Sequence, residues 1–230
     1  MLTKRRLALA LAGTLIAAPA AAHHPGQNLD KVMGSKERYF QVIDRPAPEF
    51  TLSDAGGRVV SNPDFKGKVL ALHFIFASCM DVCPLHANKI AEAQELVNAS
   101  PMKDQVRFVS ITTDPDRDTP EVLRSFGPAR GLDAANWAFL TIAPGQSEES
   151  TRNLAEAFGH KFTKYPDGTQ LHGIVTHVID QQGIWRANFH GLRFDPVNLV
   201  LYVNGLVNET QPRSVPAKPG LWAWLRSLLF

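Results

Sequence analysis

Cys79 and Cys83 are the only cysteines of the chain, and three residues separate them. In a helical turn, residues four apart share one face, with Cβ atoms about 5–6 Å from each other. Two thiols so placed can close a disulfide, or they can grip one soft metal ion together. The spacing differs from the two-residue gap of a dithiol reductase. A purely structural bridge between such near neighbours would close a tiny loop and restrain little chain entropy. Pro84 suits the first turn of a helix, where its missing N–H would be unpaired anyway. A thiol beside a helix N-terminus feels the positive end of the macrodipole, which favours the thiolate. The thiolate is both the nucleophile and the metal ligand.

The neighbouring sequence supplies the elements that would hold this pair. Residues 69–76, Val-Leu-Ala-Leu-His-Phe-Ile-Phe, are almost continuously apolar, as expected of a central strand covered on both faces. His73 within it reads as a core histidine. From Pro84 to Ala99, Ala87, Ile90, Ala93 and Val97 recur at helical spacing, with Lys89, Glu92 and Glu95 turned away. Residues 106–111 form a second central strand. Asp114-Pro115-Asp116-Arg117-Asp118-Thr119-Pro120-Glu121 then starts a helix, with Asp118 or Thr119 as its cap. A short strand at 139–142, a helix at 147–158, a hairpin of 173–180 and 184–189 turning at Gln181-Gln182-Gly183, and a helix at 196–207 follow. Ahead of all these, 47–54 and 58–60 flank Gly56-Gly57 and read as a hairpin. The pattern is α/β, a mixed central sheet flanked by helices with an N-terminal β-hairpin.

The ends carry address rather than chemistry. Residues 1–22 have a basic start (Lys4, Arg5, Arg6), an apolar run and Ala20-Ala21-Ala22, the pattern of a secretory signal cut after Ala22. The run is short for a membrane span, which takes about 20 residues. An uncleaved anchor is the alternative. No cysteine follows the run, which argues against a lipid anchor. Export, to the periplasm or another outside space, places the two thiols in an oxidising compartment where the pair would tend to form a disulfide. Residues 23–45 read as a polar leader with a short helix near 29–33; its His23-His24 pair is a weak metal motif. Residues 46–208 form the domain, and 209–230 an apolar tail that could dock on the domain, on a partner or on a membrane. The chain has 24 Lys+Arg against 22 Asp+Glu, and loss of Lys4, Arg5 and Arg6 brings it close to neutral. Nothing in that balance suggests nucleic-acid binding.

Cys79-Met80-Asp81-Val82-Cys83-Pro84 resembles the copper motif Cys-Pro-Asp-Val-Cys-Pro of the Sco/SenC family, matching at five of six positions. Residues 114–120 match a second block of that family, and the likeness spans 46 to 208. The resemblance implies a thioredoxin-like fold and a copper chaperone for cytochrome c oxidase assembly. In that family two cysteines and a distant histidine bind the copper that is delivered to the dinuclear site of the oxidase. The histidine stands eleven residues before the glycine of the hairpin turn; counting back from Gly183 gives His172. The implied ligands are therefore Cys79, Cys83 and His172. His177 falls where the family often has an aromatic. Met80 replaces the family's proline, and Leu171 replaces the acidic residue that commonly precedes the histidine, which thins the support around His172.

The donor chemistry agrees with copper. Two thiolates and an imidazole form a soft site that favours Cu(I) and can take Cu(II). A structural zinc site would want a fourth ligand, for which His86, Asp81 and His177 are the available groups. Two functions compete. One is delivery of copper to an oxidase subunit, without catalysis. The other is thiol–disulfide reduction of a target's cysteines, with Cys79 attacking and Cys83 resolving, which would call for a partner thiol reductant.

Overall fold

The computed structural model describes residues 28–79, 81–164, 170–171 and 173–209. In chain order these form α1 (Leu29–Lys36), β1 (Phe40–Pro46), β2 (Thr51–Asp54), β3 (Val59–Ser61), β4 (Val69–Ile75), α2 (Val82–Asn98), β5 (Val106–Thr112), α3 (Pro120–Phe126), β6 (Trp137–Thr141), α4 (Ser150–Ala157), β7 (Thr163–Lys164), β8 (Gln170–Leu171), β9 (Val175–Ile179), β10 (Ile184–His190) and α5 (Pro196–Val207).

Eight strands make one mixed sheet in the order β1-β10-β9-β4-β5-β6-β2-β3, and β7 pairs with β8 in a separate ribbon. β4, β5 and β6 run parallel, whereas β9 lies antiparallel to β4, with His73 opposite Thr176. The fold is thioredoxin-like, an α/β sheet flanked by helices with the expected N-terminal hairpin of β2 and β3.

β4 explains the architecture. All seven of its residues are buried, and alternation sends them to opposite faces. Val69, Ala71 and Ile75 join Ala87, Ile90, Ala93 and Val97 of α2 and Leu199, Tyr202, Val203 and Leu206 of α5. Leu70, Leu72 and Phe74 join Val109, Ile111, Leu140, Leu154, Phe158 and Trp185 on the other face. The sheet is thus sandwiched between two apolar layers, and truncating a residue such as Ile90 to alanine would cost about 2–5 kcal/mol.

The domain begins earlier than the sequence reading places it. Residues 28–45, expected as a polar leader, hold α1 and most of β1, and β1 pairs antiparallel with β10. Their outward faces are mostly polar, with Val32 and Val42 exposed among the charged residues, while a few inward groups tie the segment down. Phe40 sits edge-on to Phe189 and Tyr202. Tyr202 donates its hydroxyl to Asp30 at 2.7 Å. Glu37 accepts from the backbone N–H of Tyr39 and Asp195 and from the side-chain amide of Asn198. Gly205 lets α1 press against α5, since a Cβ there would lie 2.6 Å from Leu29.

Candidate metal centre

β4 ends at Ile75, and the chain turns through Phe76 to Cys79, where the Cys79 N–H donates to the Phe76 carbonyl at 3.2 Å. α2 starts at Val82, so Cys83 stands in its first turn and Cys79 just ahead of it. Met80 lies outside the described residues.

Both cysteines are free thiols, and their surroundings differ. Cys79 is partly exposed and Cys83 is 2 % exposed. Partial burial pushes the Cys79 thiol up. Against that, its sulfur accepts hydrogen bonds from the backbone N–H groups of Cys83, Asp81 and Val82 and from the Cys83 thiol, and together they hold it below the ordinary thiol range. These donors are the unpaired amides of the helix start, the arrangement that stabilises an anion at that place. Burial pushes the Cys83 thiol strongly up, helped by the neighbouring Cys79 sulfur and the Asp118 carboxylate and opposed by a hydrogen bond from the Phe76 N–H. The pair therefore offers one sulfur at the rim whose thiolate is favoured and one behind it whose thiolate is disfavoured.

The second sequence block folds against this turn. The Thr113 N–H donates to the Ile75 carbonyl at 2.8 Å. Thr119 is the cap of α3, accepting from the Val122 N–H at 3.5 Å. Asp118, the other candidate cap, turns inward instead. Its Oδ2 accepts from the backbone N–H of Ala77, 41 residues away in sequence, at 2.9 Å and also from the Thr112 hydroxyl. Burial raises the Asp118 carboxyl, with the Asp114 charge adding to the rise. No local signal announces this inward role, because Asp before Thr-Pro is also an ordinary helix-start residue.

The imidazoles sort plainly. His172, the expected third ligand, lies outside the described residues. On one side of it, Leu171 pairs with Thr163. On the other, Gly173 leads into β9, which enters the sheet beside the outgoing end of β4. His177 is wholly buried on the sheet face of Leu72 and Phe74 and already has two partners. Its Nδ1 lies 2.7 Å from Asn188 Oδ1, an oxygen that also accepts from Trp185 Nε1–H at 2.8 Å. The indole can only donate, so the Asn188 atom is an acceptor and His177 carries its proton on Nδ1. His177 Nε2 then accepts from His160 Nε2, 2.9 Å away. His86 bonds to Thr176 Oγ1 at 2.9 Å and packs its ring on His73, which bonds to Ser110 Oγ at 3.0 Å. His73 is a core histidine, as its strand implied. Among the described residues no three His, Cys, Asp or Glu side chains cluster as a metal site. A groove of about 760 Å³ at the opposite end of β4, lined by Phe50, Phe65, Lys66, Lys68, Asp180 and Gln182 among others, contains neither sulfur nor imidazole.

Residues 43–201 match the SCO1/SenC family model, across the sheet, both cysteines and the helices that cover them. The chain belongs to the SCO1/SenC family. A SCO2-like protein of Rickettsia conorii is 37 % identical over 167 residues, 70 % of this chain and 77 % of that protein. Arabidopsis thaliana ScoI, solved with copper bound, is 26 % identical with a TM-score of 0.56, covering 71 % of this chain and 96 % of that one. BsSco, described as a member of the Sco family of cytochrome c oxidase assembly proteins, is 24 % identical with a TM-score of 0.64, covering 74 % and 98 %. Among the described residues of this Sco chain, no helix is long and apolar enough to cross a membrane.

Proposed function

We propose that the protein is an exported copper carrier. It takes one copper ion on the sulfurs of Cys79 and Cys83 and the imidazole of His172, and passes it to the cytochrome c oxidase subunit that holds the dinuclear copper site. Copper is cargo here, not a catalyst. The observation that carries the reading is the sulfur pair, two free thiols within hydrogen-bonding reach of each other at the start of α2. Two thiolates and an imidazole suit Cu(I) and accept Cu(II). Cys79, at the rim, is the sulfur an incoming partner meets; Cys83 anchors the ion from inside. Cleavage after Ala22 into the periplasm belongs to the same reading, as does an apolar tail at 209–230 that rests on the domain, the partner or the membrane surface.

The inequality of the two thiols favours a second reading. A rim thiolate backed by a buried thiol is the arrangement that attacks and resolves a disulfide. Thiol–disulfide reduction of a copper-receiving target would use Cys79 to attack and Cys83 to resolve, with a partner reductant restoring the pair. The two activities are compatible, because a copper target must have reduced thiols before loading.

Metal analysis and absorption spectroscopy of the reduced mature protein after copper loading test the first reading. About one bound copper per chain is expected, with thiolate-to-copper absorption. Cys79→Ser and Cys83→Ser should each abolish tight binding with the fold retained. A double serine variant that keeps its copper would sink the proposal.

A further inference from the structure

A buried carboxylate outside the expected ligand set is linked to both cysteines through a single turn of backbone. Asp118 is 1 % exposed. One of its oxygens, Oδ2, holds the Ala77 N–H and the Thr112 hydroxyl. The other, Oδ1, is buried without a hydrogen-bond partner. Burying a carboxylate that is only half satisfied weakens a fold, so an acid kept at this position calls for a return elsewhere.

The return is visible in what Ala77 adjoins. The preceding amide, Phe76 N–H, donates to the Cys83 sulfur. The Phe76 carbonyl accepts from the Cys79 N–H. Three contacts thus share residues 76–79: one to each cysteine and one to Asp118. The Asp118 contact joins this turn to the end of β5, because Thr112 closes that strand. The Asp118 N–H donates to the Asp114 carbonyl at 3.0 Å and the Asp114 N–H to the Thr112 hydroxyl at 2.9 Å, so the carboxylate is itself held on a closed loop.

We propose that Asp118 is a positioning residue for the thiol pair: by gripping the Ala77 amide against the end of β5, it fixes the 76–79 turn and with it the approach of Cys79 to Cys83. The inference uses the same two sulfurs as the copper reading but does not need copper. Its test is therefore run on the metal-free protein, and a failure of copper binding leaves it untouched.

The readout is the equilibrium with oxidised glutathione. The Cys79 thiolate attacks one glutathione sulfur and expels a glutathione thiolate. Cys83, after giving its proton to solvent, attacks the Cys79 sulfur of the mixed disulfide and expels the second. Two electrons pass to the glutathione disulfide, which becomes two thiols. The equilibrium constant measures the effective concentration of one cysteine at the other, the quantity that positioning sets.

In the full mature chain, Asp118→Ala should lower that constant by about 10-fold or more, as expected for loss of a charge-assisted hydrogen bond. Asp118→Asn still offers an oxygen to the Ala77 N–H and should stay within about 3-fold of the parent, since a neutral bond is roughly half as strong. A residue that merely supports the fold would lower the melting temperature of both variants and leave the constant of the folded protein unchanged. An unchanged constant in folded Asp118→Ala overturns the proposal, and so does a fall in Asp118→Asn as large as in the alanine variant. Should Asp118→Ala fail to fold, Thr112→Val takes its place. It removes the second donor to the same oxygen, and a constant equal to the parent's would overturn the proposal there as well.

Discussion

Sulfur and imidazole are both copper donors, yet the fold treats them in opposite ways. At the end of β4 it leaves Cys79 partly exposed and surrounds its sulfur with amide donors that favour the anion. On the sheet and the segments beside it the fold buries His73, His86, His160 and His177, and it fills the ring nitrogens of His177 with Asn188 and His160. A carrier must hold its ion where another protein can reach it. Donor type alone does not qualify a side chain; the lone pair has to be presented at a surface and not spent inside. His177, with both ring nitrogens taken, is structural by this test, and the groove around Lys66 and Lys68 has room but neither sulfur nor imidazole.

The contrast is broken most directly by exchanging the two kinds of histidine. His172→Ala should lose copper affinity by about 10–100-fold or more, the loss usual even for groups one step removed from a metal. His177→Ala should keep its copper. Competition with a chelator, read by absorption, decides between them. Copper released from His177→Ala and retained by His172→Ala would mean that the third donor has been misplaced by five residues. If both variants keep their copper, the site holds no imidazole from this region, and the thiol-exchange reading moves to first place.

A second measurement sharpens the difference between the two sulfurs. In the metal-free, reduced protein at pH 7, Cys79 should be alkylated at least about 10-fold faster than Cys83, because reactivity follows exposed thiolate. Mass spectrometry of a short iodoacetamide pulse gives the ratio. Equal labelling would remove the physical basis for assigning Cys79 the outward role.

The buried imidazoles also bear on stability. His177→Ala should cost about 2–4 kcal/mol by urea unfolding, as a cavity opens and the buried groups of Asn188 and His160 lose a partner. Acid should act on the same groups. Burial, the largest influence, holds His73 and His177 well below the ordinary histidine value, assisted for His73 by His86 and for His177 by His160. Their unfolded counterparts titrate near pH 6.5. Below that pH the unfolded chain takes up protons the folded protein refuses, so stability is whole above about 6.5 and falls on acidification, by up to about 1.4 kcal/mol per pH unit for each histidine. The His177→Ala variant should lose about one proton from that slope. A parent protein whose stability is flat from pH 7 to 5.5 would show that these histidines charge freely in the folded state.

Much of this molecule could be read without coordinates, and the exceptions share a cause. The apolar run of β4, the spacing of Ala87, Ile90, Ala93 and Val97, and the 196–207 helix each carry a local periodic signal, and each formed where expected. The cysteine pair was legible because rare residue types at close spacing need no fold to be noticed. β1 was missed because Phe-Gln-Val-Ile-Asp-Arg-Pro lacks the burial of a central strand; its place depends on β10, more than a hundred residues later. The Asp118 contact to Ala77 and the His160 contact to His177 join residues 41 and 17 apart, with no periodicity to announce them. Local pattern gives elements; partners chosen across the fold leave no mark in the sequence that bears them.

β1 has a consequence beyond tying down the start of the domain. It is the outermost strand on its side of the sheet, and it covers β10, whose residues Trp185, Ala187 and Phe189 are at most 1 % exposed. Cut the chain at residue 46, where the sequence alone would begin the domain, and β10 is left with a free row of amides and carbonyls beside those three apolar side chains, a template for other chains to extend into aggregates. β1 makes a poorer template than the strand it hides. Its pairing is irregular between Val42 and Arg45, Asp44 turns to φ 58°, and it ends in Pro46, which has no N–H to offer. The modest-looking leader thus serves as the selvedge of the sheet, keeping the protein from fraying into its neighbours.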